Sequence, residues 1–219
     1  MKFLIIRYII WFVLLFGVGL WSYFLTHQWR QMIIAMTVYF TIVVVVAGGT
    51  WYNYRIFKFS PSVERIDRYL RRRKKRIFPG YIYAMTHGDY ETARQLAVKR
   101  RDADRRAQYL AGVASAEEKW DEAGEWISQI RNPAVKPYFL ALKTLRERNW
   151  DAFYEAKAAV KDKVSLLVLD AEEAYARGDI QMAEKLGQQA IDSAKGVQKY
   201  LLVKELELSE HNPNRTSYF

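Results

Sequence analysis

The 219-residue sequence contains no cysteine. That absence excludes a disulfide framework, a thiolate metal site and a cysteine nucleophile. Histidine is scarce as well: His27, His87 and His211 lie far apart. There is no HExxH pair, P-loop, GxSxG elbow or dinucleotide fingerprint. Ser and Thr occur without a nearby His/Asp arrangement. Glu117-Glu118 and Glu172-Glu173 are adjacent pairs, which point to different sides of a helix and read as solvated faces. The expectation is a protein that is not an enzyme, with no cofactor, metal or small-molecule substrate.

Acidic charge is missing from one end. Residues 1–54 hold no Asp or Glu and only Lys2, Arg7 and Arg30 as basic side chains. Residues 55–76 hold ten Lys/Arg against Glu64 and Asp67, a net of +8. The remainder is almost neutral. The pI near 9.6 therefore reflects a short belt beside an apolar segment and not a nucleic-acid surface.

Two apolar runs fill that acid-free end. Phe3–Leu25 is interrupted only by Arg7, and Met32–Trp51 carries no charge. About 20 apolar residues cross a hydrocarbon core of roughly 30 Å. His27-Gln28-Trp29-Arg30-Gln31 between them reads as a tight polar turn, so residues 1–54 are expected to form a transmembrane helical hairpin. Trp21, Tyr23, Phe24 and Trp29 at the turn, with Trp51, Tyr52 and Tyr54 at the exit, suit the headgroup level. The basic residues gather at the outer ends of both runs, which puts both termini and the rest of the chain in the cytoplasm. A cleaved signal peptide is the competing reading of residues 1–25, but the run is long and no small-x-small pattern follows. No ionisable residue lies deep in either span, so the hairpin reads as an anchor and not a transport path.

Residues 55–80 read as a basic amphipathic juxtamembrane connector. Ser60-Pro61 predicts a helix start, and the helix is expected to run to about Ile77, ended by Phe78-Pro79-Gly80 acting as a hinge. Val63, Ile66, Leu70 and Ile77 form one stripe. Arg65, Arg68, Arg71, Arg72, Arg73, Lys74, Lys75 and Arg76 form a lipid and topology belt suited to anionic headgroups.

Residues 81–208 carry a repeat. Tyr90, Trp120, Trp150 and Ile180 are spaced by 30. The first and fourth copies read Gly88-Asp89-Tyr90…Ala93 and Gly178-Asp179-Ile180…Ala183. The second keeps Trp120 and Ala123, and the third keeps Trp150 but has Phe153 in the alanine position. Glycine suits a left-handed helix end, and Asp or Asn suits the cap of the next helix. Each copy is thus a helix, a tight turn and a second helix, with the large residue expected to pack between them. Val197–Leu208 would cover the last pair, and residues 209–219 read as a flexible tail.

The Gly-Asp-Tyr-x-x-Ala text resembles the tetratricopeptide (TPR) repeat, although a period of 30 is shorter than the usual 34. Hairpin, basic stretch and repeats together resemble the N-terminal region of HemY-type bacterial inner-membrane TPR proteins. The turn at His27–Gln31 is much shorter than that family's external loop, and no residue carries over as a haem site. The resemblance implies an all-α protein, a transmembrane hairpin followed by a TPR-like α-solenoid of about four helix pairs, in a bacterial inner membrane. The expected function is a non-enzymatic scaffold that holds a membrane-associated protein partner at the cytoplasmic face. The alternatives are an accessory subunit that contacts a larger membrane complex through its hairpin, and an anionic-lipid or RNA-binding module working through Arg71–Arg76.

Overall fold

A computed structural model of the chain describes residues 29–212 and 216–219, together with Gly17 and Trp21. Among the described residues there are eleven helices and no strand. They are α1 (Trp29–Phe59), α2 (Val63–Arg72), α3 (Ile77–Met85), α4 (Tyr90–Val98), α5 (Ala103–Ala116), α6 (Trp120–Gln129), α7 (Lys136–Arg146), α8 (Trp150–Ala158), α9 (Lys163–Ala176), α10 (Ile180–Ser193) and α11 (Gly196–Glu210). The chain divides into two units, Met1–Tyr54 and Arg55–Phe219.

In the first unit, α1 contains the one stretch among the described residues, Ile33–Phe59, that is long and apolar enough to cross a membrane by length and composition, with a mean hydropathy of 2.1. Its 31 residues would extend about 46 Å at 1.5 Å per residue. Ile33, Ile34, Phe40 and Val45 are more than half exposed, as a lipid-facing surface requires. Three hydroxyls on this helix are satisfied locally: Thr37, Thr41 and Thr50 donate to the carbonyls of Ile33, Thr37 and Val46 at 2.7–2.8 Å. Such back-bonding lets a threonine sit in hydrocarbon without an orphaned donor. The expected first span, Phe3–Leu25, lies outside the described residues apart from Gly17 and Trp21. Trp29, Arg30 and Gln31, expected in the hairpin turn, instead form the first turn of α1. Neither glycine nor proline interrupts them, so nothing local stops the helix.

The second unit is built from helix pairs: α3 with α4, α5 with α6, α7 with α8, and α9 with α10. One backbone device makes all four turns. Gly88, Glu118, Arg148 and Gly178 adopt φ of +70°, +58°, +55° and +83°. The amide after each donates back five residues, Asp89 to Ala84, Lys119 to Ala114, Asn149 to Thr144 and Asp179 to Ala174, at 2.8–2.9 Å. These are Schellman ends, which satisfy the last carbonyls of the first helix. Asp89, Asn149 and Asp179 then cap the second helix by accepting from the amides of Thr92, Ala152 and Met182. Lys119 makes no side-chain cap.

The contact surface within each pair follows the same phase. Ala93, Ala123, Phe153 and Ala183 are wholly buried, and Ala84, Ala114, Thr144 and Ala174 face them nearly so. The large residues sit differently from expectation. Tyr90, Trp120 and Trp150 are only partly buried, and Ile180 is 46% exposed. Each occupies the first position of its helix, at the mouth of the turn and not deep between the helices. Trp120 and Trp150 there meet the guanidinium groups of Arg146 and Arg177 at 5.9 and 4.5 Å, each supplied by the next pair. These cation–π contacts link successive pairs.

The connector also departs from expectation. Ser62, not Ser60, caps α2, accepting from the Arg65 amide at 3.2 Å. The helix ends at Arg72, and α3 begins at Ile77. Pro79 therefore lies in the first turn of α3, where its missing N–H is harmless. The stripe of Ile66 and Leu70 is fully buried among Tyr81, Ile82, Leu110 and Tyr200, so it is unavailable for insertion into lipid.

Tyr200 belongs to α11, which joins the two ends of the unit. Val197, Tyr200 and Leu201 pack with α2, α3 and α4, while Leu202 and Leu206 pack with Val164 and Val168 of α9 and Ala190 and Ile191 of α10. The Tyr200 hydroxyl donates to Asp67 at 2.9 Å and lies 3.2 Å from the Thr86 hydroxyl. Gly196 makes this approach possible. It adopts φ +59°, its amide donates to the Ser60 carbonyl at 3.0 Å, and a Cβ there would lie 2.0 Å from the Phe57 oxygen. Residues 216–219 then lie against α9 and α10, with the Tyr218 side chain 6% exposed.

The turn geometry yields a paired expectation. Arg148 is exposed yet left-handed, so Arg148→Gly is expected to stabilise the protein by about 1 kcal/mol, and Gly178→Ala to destabilise it by a similar amount. Chemical denaturation followed by circular dichroism reads both. Gly196→Ala combines a strained φ with a clash against backbone and is expected to cost about 3 kcal/mol in the same measurement.

Candidate functional site

The basic belt is a surface feature. Arg65, Arg68, Arg71, Arg72, Lys74, Lys75 and Arg76 are exposed. Arg73 is partly buried, with its guanidinium 4.7 Å from the Tyr69 ring centre and hydrogen-bonded to its hydroxyl. None of the eight forms an ion pair with an acidic residue among the described residues, although Arg68 lies near enough to Glu64 to help lower its carboxyl, so most of the belt's charge is left without a direct partner. Helix α2 turns this face outward because its other face is committed to Tyr200 and α3.

The other sequence-selected residues are distributed along the unit, one set per turn: Gly88, Asp89, Tyr90 and Ala93, then Trp120 and Ala123, then Trp150, then Gly178, Asp179, Ile180 and Ala183. They build the turns and the contacts between helices and do not converge on one point. His87 stacks on Tyr83 and bonds its carbonyl through Nδ1 at 2.8 Å, and His211 bonds the Glu207 carbonyl at 2.6 Å. Among the described residues no group of three or more His, Asp or Glu is placed to hold a metal ion.

Charged side chains expected on solvated faces instead knit the pairs together. Arg94 on α4 bridges Glu117 and Glu122, which flank the turn of the second pair, α5–α6, and both carboxyls are held below their ordinary range, Glu122 first by its hydrogen bond from Arg94. Lys157 on α8 bridges Asp170 and Glu173 on α9 at 2.6 and 2.7 Å. An open cleft of about 290 Å³ lies nearby, lined by Asp170, Glu173, Ala174, Arg177, Asp179, Met182 and Leu186. Its acids are already engaged, Asp170 and Glu173 with Lys157 and Asp179 with the Met182 amide, so the cleft offers a ligand little free charge.

The most unusual electrostatics lie on the first-helix side of the pairs, where α11 runs. Glu172 is 2% exposed, far from the solvated position expected of it. It receives Arg146 Nη2 at 2.7 Å and the amides of Tyr218 and Phe219 at 3.3 and 2.9 Å. A buried carboxylate is stable only when compensated in this way. Glu205 on α11 has no such partner. Burial pushes its carboxyl up to about 7, and the nearby Glu172 carboxylate adds to the shift. Around it stand Tyr81 of α3 and Tyr138 of α7, both pushed well above the ordinary tyrosine range by burial and by the charge of Glu205.

Neither Glu172 nor Glu205 could be singled out from sequence. Glu172 sits in an adjacent acidic pair, its cation is 26 residues earlier, and its amide partners come from residues 218 and 219, far along the chain.

Because the Glu205 carboxyl holds its proton to about pH 7 when folded but only to about 4.5 when unfolded, stability is highest below pH 4.5 with respect to this group and falls as the pH rises through 7. Glu205→Gln is expected to flatten that decline and to raise stability at pH 8 by about 2 kcal/mol. Denaturation curves from pH 5 to 8 measure it, and parallel declines in variant and parent would refute the assignment. No family model, curated protein or solved structure matches this chain.

Proposed function

We propose that the chain is a non-enzymatic, membrane-tethered scaffold whose TPR-like helix pairs hold a protein partner at the cytoplasmic face of a bacterial inner membrane. The observation that carries this reading is the recurrence of one turn device at residues 88, 118, 148 and 178. Helix pairs repeated in register build a surface from many small, equivalent contacts, which suits recognition of another protein. The spanning-length apolar stretch in α1 supports the tether. The resemblance of the apolar runs, basic stretch and Gly-Asp-Tyr repeats, taken together, to HemY-type proteins supports the location.

The belt adds an orienting role. Its apolar stripe is buried within the protein, so attraction to a membrane would be electrostatic and not insertive. Each Lys or Arg near an anionic surface adds about 1 kcal/mol, diminished by salt. A second reading, an accessory subunit that docks through its spans, draws on Gly48 and Gly49 of α1, where no other part of the protein stands within 4 Å of the Cβ position and the bare backbone would allow another helix to approach closely.

The test compares proteins cross-linked in native membranes to the full chain and to a chain lacking residues 81–219. Loss of the specific partners on deletion is the expected outcome. An unchanged partner set would assign binding to the spans and overturn the scaffold reading. In nanodiscs, trypsin cleavage between Arg71 and Arg76 is expected to slow several-fold when anionic lipid replaces zwitterionic lipid; equal rates would remove the belt from the proposal.

A further inference from the structure

Residues 216–219 contact the helical unit in the manner of a bound peptide. They form no helix, and their main chain is read by side chains of the unit. Glu172 accepts the amides of Tyr218 and Phe219. Arg146, already paired with Glu172, turns its other nitrogen to the Thr216 carbonyl at 2.7 Å. The Ser209 hydroxyl donates to the Tyr218 and Ser217 carbonyls at 3.0 and 3.2 Å. A charged pair this deeply buried is a poor way to stabilise a core, since apolar replacements of similar volume are often equal or better. Its spare lone pairs and N–H groups do, however, match the alternating donors and acceptors of an extended chain.

The side-chain contact is equally specific. Tyr218 enters a slot formed with Ala171, Ala174 and Ala183, and the wall opposite its ring is Gly187. A Cβ at position 187 would lie 2.1 Å from the tyrosine ring. Thirty, sixty and ninety residues earlier, the repeat has Lys157, Ile127 and Ala97. Only the last pair therefore leaves room for an aromatic ring at this place.

We propose that α7, α9 and α10 form a peptide-binding site for an extended segment of a protein partner, and that residues 216–219 occupy it in the absence of that partner. The chemistry defines the ligand: an aromatic side chain for the Gly187 slot, and two successive main-chain N–H groups for Glu172, so proline is excluded at both positions. A carbonyl two residues before the aromatic meets Arg146. The inference rests on the scaffold reading, which supplies the partner, and names the class of segment that partner presents. An attached segment competes at an effective concentration on the order of millimolar, so the site favours its own segment until a partner outcompetes it.

The test uses the full chain in detergent and a fluorescein-labelled synthetic peptide of residues 209–219, read by fluorescence anisotropy. The double variant Tyr218→Ala, Phe219→Ala vacates the site and is expected to bind the peptide at least tenfold more tightly than the unaltered chain. Adding Gly187→Leu to that variant is expected to abolish binding while helix content by circular dichroism is retained. A Phe219→Pro peptide is expected to bind at least tenfold more weakly than a Phe219→Ala peptide, because only the former lacks the amide that Glu172 accepts. In the unaltered chain, excess peptide is expected to speed hydrogen exchange at the Tyr218 and Phe219 amides, a readout that holds even if the double variant misfolds. Absence of binding to the vacated site, equal binding to both chains, or unchanged exchange would overturn the proposal. Concentration-dependent dimerisation of the vacated variant would overturn the assignment to a different protein by making a second copy the occupant. The scaffold reading fails separately, in the cross-linking comparison.

Discussion

Each helix pair depends on one residue being held at positive φ. With that residue left-handed, the next amide reaches back five residues and the chain reverses within three or four positions. The reversal brings Ala93 against the Ala84 helix, and its equivalents in the later pairs, closely enough to bury one face wholly and the other nearly so. Glycine makes the turn without strain at 88 and 178. At Glu118 and Arg148 the packing on either side holds a non-glycine residue in the same conformation, against a steric preference of about 1 kcal/mol or more. The turn is thus enforced by tertiary structure where sequence does not provide it, and all four pairs keep one register.

Helix α11 changes what the four pairs amount to. An open row of pairs would leave the first-helix face exposed along its length. Here α11 crosses that face, burying Tyr200 against α2 and the α3–α4 turn while Leu202 and Leu206 seal α9 and α10. The first and last pairs are consequently fastened to a common element. The arrangement tolerates one awkward group, Glu205, whose carboxyl burial pushes up to about 7, and it requires glycine at 196, where φ is +59° and a side chain would collide with the Phe57 carbonyl.

How much of this was legible in the sequence varies with the range of the interaction. The pairs and their turns were readable because helix ends are local: Gly-Asp at 88–89 and 178–179 advertises the turn, and the 30-residue spacing carries it to the copies without glycine. The shallow placement of Trp120 and Trp150 has no local signal, because their Arg partners come from the following pair. The break between α2 and α3 falls five residues before the expected end at Ile77 and was not legible, since Arg and Lys are good helix formers and give no local sign of a stop. The 216–219 site was invisible. Its carboxylate, its cation and its occupant come from three distant stretches, and each alone resembles ordinary surface.

Charge ties these levels together. The belt on α2 faces outward because Ile66 and Leu70 are consumed by α11, and α11 is held there by Tyr200 and Gly196. The last turn of the same helix carries Ser209, whose hydroxyl fixes residues 217 and 218 over Glu172. Displacing residues 216–219 would free Ser209 and uncover Glu172, the carboxylate that lies close enough to raise Glu205. A partner segment that reproduced the amides of Tyr218 and Phe219 would leave that electrostatic balance intact, whereas one lacking them would leave Glu172 with Arg146 alone. The preference for an unblocked main chain follows from the need to keep a buried carboxylate satisfied, independently of how well the aromatic ring fits its slot.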